Sequence, residues 1–516
     1  MKQEEWNNAL NHLDQDLVEE YIEMKDKKKR PQRSYWVATV AAALALTIGI
    51  GMLAGRGILP ANGPSLETVP VTEFVTNPTT APTQPRPVVT VPPTLPPQEP
   101  VIVPLNNLVY APVYPQMPQY PSKEEIRADH TVVGEWEANR KQQYLQPAGY
   151  ADSLTDYFHA SIQQFLRGDG NQVYSPLNVY LAMAMLAETT DGNSRQQILD
   201  LFGLDTIEQL RQQVNHLWNA HYCEDGQTST LLANSIWLDE EYIFKKETAQ
   251  LLADRYYASS FSGDLGTGAM NKQLQSWLNE NTGGLLSDQA NGIELDEKTV
   301  FSLASAIYFT ASWEEDFWEG NTKDALFHSQ DVDRKVPFMH ETLRDEYYWG
   351  ENFGAIRLEL TGDNYMWLIL PDEGYTVADI LESDEYLQMT LNPRAWENKK
   401  LLEINLSLPK FDVTQQQDLV SGMKAMGLSD IFDPASADFS PLTDTHPLWV
   451  DMINHAARVS VDEKGCKGAA FTVIYVYGAG SPPEIDKIDF TLDRPFLFTV
   501  SSQDNLPLFA GVVNEP

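Results

Sequence analysis

A continuous apolar run near the start of the chain separates two polar parts. Residues 35–54 carry no charged side chain, and about 20 apolar residues suffice to cross a bilayer as one helix. The basic cluster Lys25–Arg33 precedes the run, so the positive-inside rule predicts a cytoplasmic segment, residues 1–34, and an extracellular remainder. A cleaved secretory signal is the alternative, which the length of the run disfavours because signal cores span about 7–15 residues. The sequence therefore predicts a single-pass protein of the cell membrane, anchored by one N-terminal helix.

Residues 55–147 lack the periodic apolar positions of a folded domain. Proline and threonine dominate in "NPTTAPTQPRPVVTVPPTLPPQEP", and proline recurs in "YAPVYPQMPQYP". Such composition is typical of a stiff, extended segment. We therefore expect residues 55–147 to form an extracellular stalk and linker.

Residues 148–516 show the periodic pattern of a folded head. An apolar stripe at helical spacing opens it, and "SPLNVYLAMAMLAETT" and "NSRQQILDLFG" continue with helical patterns. Strand patterns follow in "TVFSLASAIYF", "NYMWLILP" and "LLEINLSLPKFDV". Because helices dominate the first part and strands the second, the pattern predicts an α+β fold rather than an alternating parallel one.

Net charge and motif content exclude several classes of function. The formal net charge is −37 at pH 7, and such a chain would repel a phosphate backbone, so no nucleic-acid partner is expected. Only Cys223 and Cys466 are present, too few for a disulfide framework. The HExxH pattern, the phosphate-binding loop and the GxSxG nucleophile elbow are absent from the sequence. The sequence therefore predicts no metal, no cofactor and no catalytic residue, so the chain is not expected to be an enzyme.

Segments spread over the whole head together carry a resemblance to a known family. In chain order they are "SPLNVYLAMAMLAE" (Ser175–Glu188), "ANSIWL" (Ala233–Leu238), "AIYFTASWEEDF" (Ala306–Phe317), "LPDEG" (Leu370–Gly374), "LSLPKF" (Leu406–Phe411), "MGLSDIFDPASADFS" (Met426–Ser440), "INHAARVSVDEKG" (Ile453–Gly465) and "FTLDRPFLFTV" (Phe490–Val500). In this order and spacing they resemble the serpins, serine protease inhibitors of the strand-insertion type. The resemblance implies the serpin fold, in which helices pack on a large mixed β-sheet with further sheets and an exposed reactive-centre loop. It also leads us to expect a monomer and, with the anchor and stalk, a bacterial member of the family.

The resemblance gives a role to "EKGCKGAAFTVIYVYGAGSPPE", Glu463–Glu484. In serpins a protease cleaves this loop, which then inserts as a new middle strand of the main sheet. Strand residues alternate between faces, and here one alternate set is small or aliphatic, whereas the other contains the charge and every ring. The first set is Cys466, Gly468, Ala470, Thr472, Ile474 and Val476, and the second is Lys467, Ala469, Phe471, Val473, Tyr475 and Tyr477. The segment is therefore predicted to be a stored strand whose first set faces the core.

The family's spacing also places the cut and sets the expected target. Counted from the hinge residue Glu463, the reactive bond is Ala479–Gly480. Alanine suits the small pocket of an elastase-type serine protease, the expected partner, while Tyr477 would offer a second cut to a chymotrypsin-like enzyme. The expected function is to trap the acyl-enzyme, a reaction in which the protease supplies the nucleophile. The hinge residues that the resemblance implies are Glu463, Gly465, Cys466, Gly468, Ala469 and Ala470.

A sheet-opening region is implied as well. Lys410 and Glu463 match an ion pair at the top of the main sheet, with Trp313 packed nearby, and a solvated surface pair is the alternative. Ser175 and His455 match a polar cluster beneath the opening strands, for which a hydrogen-bonded core histidine is the alternative.

Three positions depart from the family pattern. Ser305 stands where the buried cluster usually has Asn, which would loosen that network. Cys466 replaces the usual Thr or Ser at the first inserting position, where a small apolar side chain should still enter. Phe471 interrupts a run that is normally small, and its bulk would slow insertion and favour substrate behaviour.

Two other classes of protein remain open at this point. A non-inhibitory serpin-fold binding protein would keep the fold with a hinge that cannot insert, and Gly465, Gly468, Ala469 and Ala470 speak against it. A hydrolase would need a nucleophile next to a base, which the 9 histidines could provide by chance.

Overall fold

The computed structural model describes residues 88–90, 107–115, 117–226, 228–330, 332–466 and 485–516. All of them fall in one unit, residues 84–516. Within these described residues, no helix is both long and apolar enough to span a membrane. The predicted span at 35–54 and the cytoplasmic segment 1–34 lie outside them.

The helices begin at residues that suit helix starts. Ser175 accepts a hydrogen bond from Asn178 N, and Pro176 occupies the first turn that follows. Thr206 and Gln209 form a capping box. In the described residues the α-helices are α1 (Lys123–Ala128), α2 (Val132–Tyr144), α3 (Thr155–Phe165), α4 (Pro176–Thr189), α5 (Gly192–Leu201), α6 (Ile207–His221), α7 (Lys246–Tyr256), α8 (Gly268–Asn281), α9 (Ser287–Asn291), α10 (Val377–Glu382), α11 (Glu385–Leu391) and α12 (Val420–Ala425).

The strands of the described residues lie mostly late in the chain, as predicted, since twelve of the eighteen begin at Phe301 or later. They are β1 (Val88–Thr90), β2 (Leu108–Tyr110), β3 (Gln172–Tyr174), β4 (Cys223–Glu224), β5 (Ser229–Asp239), β6 (Ala258–Gly263), β7 (Phe301–Ser312), β8 (Lys323–His328), β9 (Asp333–Trp349), β10 (Phe353–Leu360), β11 (Asn364–Pro371), β12 (Lys399–Pro409), β13 (Phe411–Asp418), β14 (Asn454–Val461), β15 (Gly465–Cys466), β16 (Lys487–Thr491), β17 (Phe496–Ser501) and β18 (Pro507–Val513). The run "LLEINLSLPKFDV", predicted as one strand pattern, is divided between β12 and β13. Pro409 has no N–H to continue the ladder, and the two strands belong to different sheets.

The strands form three sheets. The largest has the order β16-β12-β9-β10-β11-β17-β18-β3, with β1 and β8 also paired with β9. A second sheet has the order β15-β7-β5-β6-β2, with β4 paired with β5, and β13 and β14 form a separate antiparallel pair. The predicted α+β fold, with helices on mixed sheets, is confirmed.

The core lies where α4 packs against β7 and β18. Every residue of β17 and β18 is buried. Strands that are covered on both faces have a nearly continuous apolar sequence, as these two do. Nearly all of α4 is buried as well. This core fixes β7 on one side of a gap whose other side is β14.

Part of the segment that composition assigns to the stalk and linker packs on the head. β2 pairs antiparallel with β6 through Leu108 and Phe261. The ring of Tyr114 stacks on those of Trp218, Tyr222 and Tyr257 at centroid distances of 5.7, 5.3 and 6.2 Å. β2 therefore covers the β6 edge of the second sheet.

Candidate functional site

A tight turn, residues 462–464, connects β14 to β15 and starts a new strand beside β7. Asp462 and Gly465 exchange two backbone hydrogen bonds of 3.2 Å, and β15 then pairs antiparallel with β7 through Gly465↔Ser312 and Cys466↔Ala311. Gly465 has φ +133°, and a Cβ there would collide with the carbonyl oxygen of Ala311. Glycine is therefore required for the chain to turn this close to β7.

Trp313 and Glu463 hold this turn in place. The Trp313 indole N–H donates to the Asp462 carbonyl at 2.8 Å, and the Trp313 backbone N–H donates to the Lys464 carbonyl at 3.2 Å. Lys410 Nζ lies 2.8 Å from Glu463 Oε2, while Thr322 Oγ1 donates to Glu463 Oε1 at 2.7 Å. The predicted neighbours Lys410, Trp313 and Glu463 thus meet at one turn.

The environment of Glu463 keeps its carboxylate ionised. Its side chain is 11% exposed, against 35% for the side chain of Lys410, so the pair is more enclosed than a solvated surface pair. Burial alone would raise the pKa of Glu463, but the hydrogen bonds from Lys410 and Thr322 outweigh it and lower the pKa.

A polar cluster lies lower in the gap, around Ser175 and His455. The Ser175 backbone N–H donates to His455 Nε2 at 3.2 Å, and Ser175 Oγ donates to the Leu508 carbonyl at 2.7 Å. Burial lowers the pKa of His455 to about 4, so the imidazole is neutral and its Nε2 can accept. Both residues therefore connect the gap to the core.

Ser305 faces this cluster with an unused hydroxyl. Its Oγ has no hydrogen-bond partner among the described residues, and neither does Oδ1 of Asn234, the residue paired with it across β5 and β7. The two orphaned acceptors agree with the expectation of a loosened network at Ser305.

The gap between β7 and β14 is a slot that is open to solvent and contains a cavity of about 80 Å³. Its walls include Ile307 and Phe309 from β7, Ala457 and Val459 from β14, and Cys466 at the start of β15. Cys466 is 5% exposed, and burial, with a contribution from Asp462, raises the pKa of its thiol to about 12. The thiol is therefore protonated, and Cys466 fills space as a small apolar residue.

The remaining predicted residues, Gly468, Ala469, Ala470, Ala479 and Gly480, lie outside the described residues. Thr322 was missed by sequence reasoning. It lies 141 positions from Glu463, and no sequence spacing signals that contact. Only the fold of β8 and the turn before it brings them together.

The described histidines do not form a hydrolase triad. His221 Nε2 lies 3.1 Å from both Ser502 Oγ and Asp504 Oδ1, whereas its Nδ1 faces the Leu217 carbonyl. His340 Nδ1 lies 2.9 Å from Ser407 Oγ, with no carboxylate hydrogen-bonded to the ring among the described residues. A triad needs the nucleophile and the carboxylate on opposite ring nitrogens.

Comparison with known proteins decides the family. A profile described as Serpin (serine protease inhibitor) matches residues 153–516. The chain belongs to the serpin family. Leukocyte elastase inhibitor of Equus caballus is 30% identical over 359 residues, which cover 67% of this chain and 93% of that protein. Alpha-1-antiproteinase 2 of Equus caballus is 27% identical over 381 residues, covering 72% and 86%.

A solved serpin structure gives the same result. The thermophilic serpin tengpin in its native state superposes with a TM-score of 0.64 at 26% identity, covering 72% of this chain and 95% of that one. The family predicted from the segments of the head is confirmed. Membership and relatives together support protease inhibition as the general activity and a serine protease as the partner.

Proposed function

We propose that this serpin is a suicide-substrate inhibitor of extracellular serine proteases of the elastase type. The observation that carries the proposal is the position of β15. Gly465 and Cys466 already pair with the top of β7, directly above a slot that has strands on both sides. The loop that follows Cys466 therefore has a template prepared for it.

The proposed mechanism uses the protease's own chemistry. The target's serine attacks the carbonyl carbon of Ala479. The Ala479–Gly480 peptide bond breaks, Gly480 leaves as a free amine that takes up the serine's proton through the protease's histidine, and an ester between Ala479 and the serine remains as the acyl-enzyme. The freed loop then adds to β7 and β14, where each ladder hydrogen bond contributes roughly 0.5–1.5 kcal/mol and apolar burial adds about 25 cal/mol per Å². A total on the order of ten kcal/mol rivals the stability of a whole domain, about 5–15 kcal/mol. That free energy would distort the captured protease before water could release it.

Target preference follows from the residue before the cut. Ala479 fits a small primary pocket, and the relatives include a protein named leukocyte elastase inhibitor. Tyr477 offers a secondary cut to chymotrypsin-like enzymes. The anchor at residues 35–54 would place the monomeric head outside the cell, where such proteases act, with the N-terminus in the cytoplasm.

A direct test is to incubate the full chain with pancreatic elastase, chymotrypsin and trypsin and to look for complexes that survive boiling in detergent. We expect a one-to-one complex with elastase and a cut after Ala479. In the matched variant Ala479→Arg the complex should form with trypsin instead. Cleavage without any complex would contradict the inhibitor proposal, and binding without cleavage would favour a non-inhibitory surface binding protein.

A further inference from the structure

The two strands beside the slot fix the register of an inserting loop. On the β7 side the pairs are Gly465↔Ser312 and Cys466↔Ala311, and on the β14 side Asp462 pairs with Gly465. If both pairings continued along an inserted loop, residue 471, five residues beyond Cys466, would lie opposite Ala306. The same residue, six beyond Gly465, would lie opposite Ala456. If insertion occurs as proposed above, Phe471 therefore enters between two alanines.

These alanines face away from the central core. Cys466 and Ala311 belong to the main core, and paired residues on adjacent strands share a face. Ala306, five residues from Ala311, points to the opposite face, where it packs in a cluster with Leu274 and Trp277 of α8. The ring of Phe471 would thus point towards α8.

Space on this face is distributed unevenly. At the neighbouring outward row of an inserted strand, residue 469 would lie between Tyr308 and Arg458. There a Cβ on Gly283 would collide with the Tyr308 ring, and Arg458 Nη1 donates to the Leu285 carbonyl at 3.0 Å. The crowded row thus receives an alanine, Ala469, and the row flanked by two alanines receives Phe471.

The row of Ala306 and Ala456 opens into an apolar part of the slot. Both alanines line the cavity, together with Leu278 of α8 and with Leu286 and Ile293 from the segment that follows α8. We define these five residues as the α8 recess. These five residues are apolar, and the charged residue that also lines the cavity, Arg458, already has Asp412 and the Leu285 carbonyl as partners. A ring placed in the recess would therefore be desolvated without leaving a buried polar group unpaired.

We propose that the α8 recess receives the ring of Phe471 and anchors the inserted strand. In this role Phe471 is a positioning residue, because the row flanked by Ala306 and Ala456 has room for a large ring that the neighbouring row of Tyr308 and Arg458 lacks. The bulk that interrupts the run of small hinge residues then stabilises the inserted state.

The test compares the full chain before and after nicking of its loop. A cysteine protease makes the nick, and mass spectrometry confirms that the cut lies between residues 478 and 484. The measured quantity is the rise in melting temperature on nicking. For Phe471→Ala we expect that rise to be smaller by roughly 5 °C, the size expected for losing a buried ring in a large domain. The matched variant Tyr475→Ala also loses a ring, but its position opposite Ser302 lies outside the recess, so its rise should fall less.

A second variant fills the recess from the β14 side. Ala456→Leu should reduce the rise on nicking because the leucine competes with the ring. Combining it with Phe471→Ala should restore part of that loss, a non-additivity expected only for groups in contact. The uncut melting temperature of each variant measures any effect of Ala456→Leu on folding alone.

The outcomes separate the recess from the inhibitory mechanism. Equal rises in the unmutated chain and in Phe471→Ala would overturn the recess and leave insertion intact, as would strictly additive losses in the double variant. Absence of any rise in the unmutated chain would overturn insertion itself, and the recess with it.

Discussion

The two edges of the sheet that contains β7 differ in how far a neighbouring strand covers them. At the β6 edge, β2 supplies a partner strand, and the nearby ring of Tyr114 stacks on Trp218, Tyr222 and Tyr257. At the β7 edge, the described partner strand β15 pairs only with Ser312 and Ala311. Residues of β7 that precede this pairing border the slot.

An unpaired edge normally invites pairing with other chains, and proteins usually cover it. Here one edge is covered by a distant part of the same chain, whereas the described residues leave most of the other edge uncovered. Under the proposed function, we interpret this open edge as a position reserved for the inserting loop. The following predictions test whether the two edges act independently.

The largest effect is expected where the open edge would be filled. In Ala470→Pro the loop should still be cut, but proline removes a ladder donor and fixes φ where a central strand cannot accept it, at a cost of about 3 kcal/mol or more. Elastase should then cleave the variant and leave, and nicking should no longer raise the melting temperature. A detergent-stable, one-to-one complex of this variant with elastase would refute the reserved-edge interpretation.

The next effect concerns pH at β14, on the side of the slot opposite the open edge. His455 on β14 has its pKa lowered by burial from 6.5 to about 4, so the folded state binds fewer protons than the unfolded state between these values. Stability is therefore complete above pH 6.5 and falls as the pH drops towards 4, by at most about 3 kcal/mol. Urea unfolding at several pH values should show this loss. His455→Gln retains an acceptor but does not titrate, and its loss should be smaller; identical slopes would contradict the assignment.

A smaller effect is expected at the covered edge. Tyr114→Ala removes a half-buried ring from an aromatic stack and should lower the stability of the uncut chain by about 2 kcal/mol. The rise in melting temperature on nicking should stay the same, because β2 lies at the other edge. Val113→Ala, at a side chain that is 87% exposed, is the matched control and should change little. If Tyr114→Ala also altered the rise, the two edges would be coupled.

The smallest effect is expected at the hinge ion pair. Glu463→Gln keeps the shape but removes the charge facing Lys410, at a cost of about 1 kcal/mol for a partly exposed pair. Because the pKa of Glu463 is lowered in the folded state, its contribution is present above its unfolded pKa and lost as the pH falls through the folded pKa. Denaturant titrations should therefore show the two proteins converging in acid. A constant difference at every pH would mean that charge is not what Glu463 contributes.

Local periodicity predicted much of this molecule. Alternation predicted that Cys466 faces the core, and the structure buries it beside Ala311. The apolar pattern of "SPLNVYLAMAMLAETT" predicted the helix α4, and nearly all residues of this helix are buried. Such features could be predicted since they depend on neighbours a few positions away.

Features that depend on distant contacts could not be predicted. Composition assigned Leu108 and Tyr114 to a proline-rich stalk. The rings that contact Tyr114 come from α6 and from Tyr257, far away in the sequence, so composition could not reveal these contacts. Likewise, the hydrogen bonds donated by the Trp313 indole N–H and by the Thr322 hydroxyl depend on how the hinge turn packs against other elements. Sequence reasoning found the hinge and its neighbours Lys410 and Trp313, but it did not find Thr322.

The tight turn between β14 and β15 has a consequence for which insertions and deletions the gene can tolerate. Only Glu463 and Lys464 lie between the bridged residues Asp462 and Gly465, and adding or removing one residue would move every later side chain to the other face. Lys467 and the rings would then point into the core. Beyond the far end of the slot, by contrast, a change in the length of the loop would alter only how far the predicted cleavage site at Ala479 extends from the sheet. Length variation should therefore accumulate after Tyr477 and be purged before Cys466.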